Sequence, residues 1–272
     1  MNFLYADSLR FAYTDGMDVL RDIGFSAESG EHIALVGPNG CGKSTLFDIL
    51  SGYRKPCHGT VYLEGRPVRG FSALERARKI AFVPQAARIP FPYTCLETVL
   101  MGLAPFRSRF APPGEKDFPR AEAVMRETGV WDFAEKNIQD LSGGQVQRVI
   151  FTRALLQARP ETAAPPRLLL LDEPFSELDI GCRIEMMKIL DRYARDYGIT
   201  VIGIHHDLNM AGIFARRIIA LQNGRLAASG SPEEVFTEHF FAGVFRVKVE
   251  IIPHKGFLFY DSLENRGLEG TP

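Results

Sequence analysis

Gly37-Pro38-Asn39-Gly40-Cys41-Gly42-Lys43-Ser44-Thr45 fits the G-x-x-x-x-G-K-[ST] pattern of a phosphate-binding loop. Glycines let the backbone curl so that successive N–H groups point inward, and a helix that follows adds the positive end of its dipole. Lys43 supplies a point charge for β- and γ-phosphates, and the Ser44 hydroxyl offers a ligand for Mg2+. Such a loop calls for a carboxylate at the end of a buried strand, and Leu168-Leu169-Leu170-Leu171-Asp172-Glu173-Pro174 provides it. Asp172 is then expected to hold Mg2+, and Glu173 to orient or deprotonate an attacking water. A third segment, Leu141-Ser142-Gly143-Gly144-Gln145, precedes a helical stretch. Alone it would cap that helix, but it also makes a second anion-binding nest. Two phosphate-reading loops in one chain suggest a nucleotide shared between two subunits.

The elements that must position these groups follow from hydropathy. Leu4 to about Val36 reads as short strands divided by polar turns, ending in the apolar run Ile33–Val36 before the glycines. Lys43–Leu50 has helical spacing. Thr60–Gly65 and Lys79–Val83 are further strands, and helical patterns cover Leu96–Leu103 and Ala121–Phe133 around a proline-rich stretch at Pro105, Pro112 and Pro113. A helix from Gly144 to about Ala158 leads into a connector, Pro160 to Pro166, whose prolines exclude helix. Strand Leu168–Leu171, helix Ile184–Tyr197, strand Thr200–Ile204, helix Leu208–Ala215 and strand Ile218–Leu221 complete the core, and Val247–Ile252 with Phe257–Tyr260 suggests a terminal strand pair. Strands alternating with helices imply a mostly parallel, covered sheet.

Composition narrows the function. Lys and Arg total 32 against 33 Asp and Glu, a formal charge of −1 that lacks the basic excess of a dedicated nucleic-acid binder. With 46% hydrophobic and 24% charged residues, a core can form without staples. No run approaches the roughly 18 apolar residues of a membrane span. The start of the chain lacks the basic and apolar regions of a signal peptide. Cys41, Cys57, Cys95 and Cys182 are scattered without C-x-x-C spacing, which argues against a disulfide framework or zinc site. Cys41 inside the phosphate loop is a candidate for thiol-reagent sensitivity.

With these motifs in this order, the chain resembles an ATP-binding cassette (ABC) ATPase over nearly its whole length. Gly37 to Thr45 match the Walker A motif, Leu168 to Glu173 the Walker B motif, and Leu141 to Gln145 the ABC signature. Gln85 in Phe82-Val83-Pro84-Gln85 matches the Q-loop, Ser176-Glu177-Leu178-Asp179 resembles the D-loop, and His206 before Asp207 matches the switch histidine. Tyr13 stands where the family places an aromatic on adenine, although it also suits an ordinary strand. Asp179 fits either the family's dimer contact or a simple helix cap. His205 replaces a usual Thr or small residue, and Glu177 adds a charge to the D-loop.

The resemblance implies an α/β fold, a P-loop NTPase of ABC type: a mixed β-sheet core with an N-terminal antiparallel β-subdomain and an inserted helical subdomain. The expected division is an ATPase domain at 1–240, with a RecA-like core at 1–85 and 140–240 and a helical subdomain at 86–139, then a short extension at 241–272 packed on the cassette. Implied ligands are ATP and Mg2+. Glu173, His206, Lys43 and Gln85 would act in hydrolysis, and Ser44, Gln85 and Asp172 would sense or hold the metal. Tyr13, Gly37 to Thr45, Ser142 to Gln145 and Asp179 would contact nucleotide. The implied partners are a second copy packed head to tail, permease subunits docking near Gln85 and the helical subdomain, and indirectly a substrate-binding protein, with no nucleic acid. That places the chain on the cytoplasmic face of the cell membrane, peripherally.

Three classes share such a cassette. DNA-repair and chromosome ATPases insert a long coiled coil between P-loop and signature, and the stretch here is short, without sustained heptads. Translation factors carry tandem cassettes, whereas one is present here. Transport remains. Thr98-Val99-Leu100-Met101-Gly102 to Arg109-Phe110 partly resembles importers of iron–siderophore, haem and cobalamin, with Leu103 and Phe106 replacing the usual Arg and His. Importers of molybdate or other metal oxyanions, and exporters, are the alternatives.

Overall fold

Every residue of β3 (His32–Val36), β7 (Leu168–Asp172) and β8 (Thr200–Ile204) is buried, the mark of central strands covered on both faces. The computed structural model describes residues 3–13, 16–85, 89–108, 111–159 and 168–252, and the backbone of 256–262. The expected connector Pro160 to Pro166, and Arg109-Phe110, lie outside the described residues.

Ahead of β3 run β1 (Leu4–Ala12) and β2 (Asp18–Ala27), and after it β4 (His58–Leu63), β5 (Arg66–Pro67) and β6 (Ile80–Val83). Two sheets result. One is antiparallel, in the order β2-β1-β4-β5. The other includes β9 (Arg217–Gln222) and β10 (Arg225–Gly230) and runs β10-β9-β3-β8-β7-β6, parallel throughout except for β10. A core that includes Leu4, Leu20, Leu35, Leu46 and Leu170 joins the two sheets around α1 (Lys43–Leu50).

The other face of the parallel sheet carries helices. After α2 (Ala73–Ala77) come α3 (Cys95–Leu100) and α4 (Asp117–Glu127), both packed on α5 (Gly143–Ala158). One buried core runs from Val99 and Val124 through Phe151 and Leu155 to Leu169 and on to α6 (Ile180–Tyr197). The sequence pattern placed the second helix at Ala121–Phe133. It instead starts at Asp117 and ends at Glu127, because Gly129 turns to a φ of +67° and Trp131–Phe133 forms a separate 3-10 turn.

A third core forms under α7 (Leu208–Phe214), α8 (Pro232–Val235) and α9 (Glu238–Phe240), where Ala34 and Val36 meet Phe236, Phe241, Val244 and Val249. β11 (Val247–Ile252) and β12 (Gly256–Ser262) pair antiparallel beyond it. Among the described residues, no helix is long and apolar enough to cross a membrane.

Candidate nucleotide site

All the carboxyl ends of the parallel strands point to one edge, and the site is assembled there. β3 runs into the glycine loop. Gly37 has φ +145° and a Cβ on it would overlap the Leu221 carbonyl, while Gly42 has φ +106° and its Cβ would lie 2.7 Å from Leu20. Both positions therefore demand glycine. The buried Lys43 ammonium donates to the Gly37 carbonyl at 2.8 Å and the Pro38 carbonyl at 3.0 Å. These are weak partners for a full charge, and a phosphate oxygen would be a stronger one. Cys41 is buried, and desolvation raises its thiol pKa against the opposing Lys43 charge. The sulfur is thus a poor nucleophile at neutral pH, contrary to the expectation of thiol sensitivity.

An open cleft of about 500 Å³ follows the loop. Tyr13, Val19, Asn39, Gly40 and Gly42 to Thr45 line one side, and Gln85, Glu173 and His206 the other. Tyr13 follows the last residue of β1 and is 44% exposed, its hydroxyl hydrogen-bonded to Thr45 Oγ1 at 3.2 Å. The Arg54 guanidinium lies 5.1 Å from the ring centroid. An exposed aromatic beside a phosphate loop suits a base.

Glu173 follows β7 with a φ of +49°, a left-handed conformation that strains a side-chain-bearing residue. That turn aims its carboxylate between two partners. Gln85 Nε2, two residues past β6, donates to Oε2 at 2.8 Å, and His206 Nε2 is hydrogen-bonded to Oε1. The two histidines divide. His206 is exposed at the cleft, while the His205 ring folds back over Gly203 to face His32, with centroids 6.2 Å apart. Desolvation chiefly lowers His205 to about 3, helped by the His32 charge. It lowers His32 to about 4, helped by Arg216.

Asp172 tests whether a divalent cation suits the site. It is only 9% exposed, and its Oδ1 is buried without a hydrogen-bond partner. Desolvation, then the charges of Glu173 and Asp48, push its carboxyl up to about 6, opposed by the Ser44 hydroxyl and Lys43. A cation would relieve all three causes. Mg2+ asks little more of a protein, since it takes one or two protein oxygens and completes its shell with phosphate and water.

The second glycine loop lies outside this cleft. Ser142 caps α5, its hydroxyl accepting from Gln145 N while Gln145 Oε1 accepts from Ser142 N. A Cβ on Gly143 would overlap the Glu177 carboxylate, and one on Gly144 would meet the Glu177 carbonyl at 2.9 Å. Asp179 caps α6, accepting from Cys182 N at 3.0 Å. Sequence reasoning missed Arg183, which bonds Asp207 and the Leu178 carbonyl. No sequence signal pointed to it, because the helix was expected only from Ile184 and Arg183 fell outside it, whereas the helix starts at Ile180.

A glycine loop with its lysine, a strand-end aspartate and a poised glutamate define a P-loop nucleoside triphosphatase. The family model described as "ABC transporter" matches residues 20–176. The chain is 35% identical over 252 residues to the iron(3+)-hydroxamate import ATP-binding protein FhuC of Bacillus subtilis (strain 168), spanning 93% of this chain and 91% of that one. It is 40% identical over 250 residues to the hemin import ATP-binding protein HmuV of Rhodopseudomonas palustris (strain BisA53), spanning 92% and 90%. Among solved structures, a metal-chelate type ABC transporter in an inward-facing conformation superposes with a TM-score of 0.78 at 26% identity, covering 96% of this chain and 98% of that one. A dimeric ATP-binding cassette in a post-hydrolysis state with ADP and Pi superposes with a TM-score of 0.74 at 31% identity, covering 84% and 98%. The chain belongs to the ABC transporter family as its ATP-binding subunit, and it is an ATPase.

Proposed function

We propose that this subunit hydrolyses MgATP to drive an importer of an iron chelate, haem or iron–hydroxamate, docked on permease chains at the cytoplasmic face of the membrane. The observation that carries the hydrolytic reading is Glu173, gripped by Gln85 and His206 at the mouth of the phosphate cleft. The cargo class is supported by the names of the relatives.

In this reading Tyr13 stacks on adenine, the N–H groups from Gly37 to Thr45 cradle the phosphates, and Lys43 exchanges its carbonyl partners for β- and γ-oxygens. Ser44 and Asp172 would hold Mg2+, with Gln85 sensing it, and the ion would supply charge neutralisation on the phosphate oxygens. Glu173 orients a water and accepts its proton as the water oxygen bonds the γ-phosphorus. The bond from γ-phosphorus to the bridging oxygen breaks, leaving ADP and inorganic phosphate. Ser142, Gly143, Gly144 and Gln145 of a second copy close over the γ-phosphate head to tail, and Asp179 joins that interface. ATP thus favours the closed pair by binding it better than the open one. The helical part, residues 86–139, relays the state of Gln85 to the permease.

Glu173→Gln is expected to lose at least 99% of steady-state ATPase activity, about a hundredfold drop, while forming an ATP-dependent dimer on gel filtration. Turnover near wild type would sink the assignment. Isolated from detergent-solubilised membranes with MgATP, the same variant should bring down a polytopic permease. In the reconstituted complex, binding protein loaded with haem or ferric hydroxamate should stimulate hydrolysis. Stimulation by molybdate- or cobalamin-loaded protein alone would overturn the cargo.

A further inference from the structure

Arg183 stands in the first turn of α6, near the positive end of the macrodipole, where acidic residues are the stabilising choice. Its side chain is only 26% exposed, and both terminal nitrogens of its fork have a partner, while Nε is buried without one. Nη1 donates to Asp207 Oδ2 at 3.2 Å, and Nη2 donates to the Leu178 carbonyl at 3.1 Å. Asp207 is itself committed, since its Oδ1 accepts from Met210 N at 3.1 Å and caps α7. The residue just before it is His206, whose ring holds Glu173.

The far end of this bridge is also anchored. Gln147 of α5 donates through Nε2 to Ser176 Oγ at 3.2 Å, and its Oε1 accepts from Glu177 N at 3.2 Å. Residues 176–179 therefore hang between the signature helix and Arg183. A displacement of this loop reaches the start of α7 through one guanidinium, and reaches His206 through a single peptide unit.

We propose that Arg183 is a positioning residue for hydrolysis, coupling loop 176–179 to the His206–Glu173 pair through Asp207. The inference rests on the reading of Glu173 as the group that activates water. A planar fork with two well-separated donors suits this bridge, and no single-headed side chain replaces it. Arg183 does not line the nucleotide cleft, so its loss acts on turnover and spares binding.

The test is steady-state ATPase kinetics on Arg183→Gln, Arg183→Lys, Asp207→Asn, the double variant Arg183→Gln/Asp207→Asn, and Glu173→Gln. Asn caps a helix as well as Asp does, so Asp207→Asn keeps α7 and removes only the charge. Arg183→Gln should lower kcat about tenfold or more with KM within about twofold, the signature of misplaced catalytic groups. Arg183→Lys, reaching one partner, should fall between. The double variant should be no slower than the slower single variant, because both changes break one link. Wild-type kcat in Arg183→Gln beside an inactive Glu173→Gln overturns the coupling alone, as do fully additive losses or a rise confined to KM. Full turnover in Glu173→Gln overturns the reading of the site on which the coupling rests.

Discussion

Tyr13 offers the nucleotide a ring while its hydroxyl is tied to Thr45, so two variants separate these contributions. Tyr13→Ala should weaken ATP binding about 5- to 30-fold, the loss of one base–aromatic stack, whereas Tyr13→Phe should stay within about twofold by equilibrium titration. Equal affinities for Tyr13→Ala and wild type would leave the ring no role. At Asp172 the sign of the pH effect is the reverse of a paired carboxylate. Its carboxyl titrates near 6 in the folded chain instead of 3.8, so the group is harmless below about pH 4 and costs stability above about 6. Asp172→Asn should therefore stabilise the metal-free protein at pH 7.5, by on the order of 2–3 kcal/mol, with the gain fading towards pH 4. The same variant should lose the stabilisation that MgADP gives the wild type. Thermal melts in EDTA and in MgADP at the two pH values decide it.

α6 shows where local signals suffice and where they stop. Apolar spacing suggested a helix from Ile184, yet it begins at Ile180, because Asp179 caps it and the first turn, with Ile180 and Gly181 exposed, does not follow the apolar stripe. α1 was legible to its ends because glycine, lysine and an apolar run leave no competing start. The strand-end carboxylates and the glycine loop were legible for the same reason: their chemistry is written in contiguous residues. Arg183–Asp207 and Tyr13–Thr45 were not, since each contact joins separate elements and no local pattern encodes it. Asp179 is a cap in the single chain, and a contact across the dimer is proposed for it as well. Asp179→Ala should cost about 1 kcal/mol of stability, whereas Asp179→Asn should melt like wild type. ATPase activity lost in Asp179→Asn at unchanged melting temperature would mark the second role, and full activity would leave the cap alone.

Across the whole molecule, strand order could not be read from the chain. β3 lies between β8 and β9, so strands far apart in sequence deliver Lys43, Glu173 and His206 to one edge. That packing also buries His32 and His205 in the neutral form. Both titrate well below the ordinary 6.5, so stability is retained above that value and falls as pH drops towards 4. His205→Thr should flatten the fall in melting temperature between pH 7 and 5. An unchanged slope would remove the pair from the acid response, and an Asp172→Asn background cancels the opposing carboxylate. The sixteen residues of α5 make a rod about 24 Å long. Its carboxyl half is clamped in the shared core at Ala154, Leu155, Leu156 and Ala158, while Ser142 is exposed at the other tip. Such a rod amplifies: a tilt of about 5° at the clamp swings the tip by about 2 Å, enough to make or break a hydrogen bond to a phosphate.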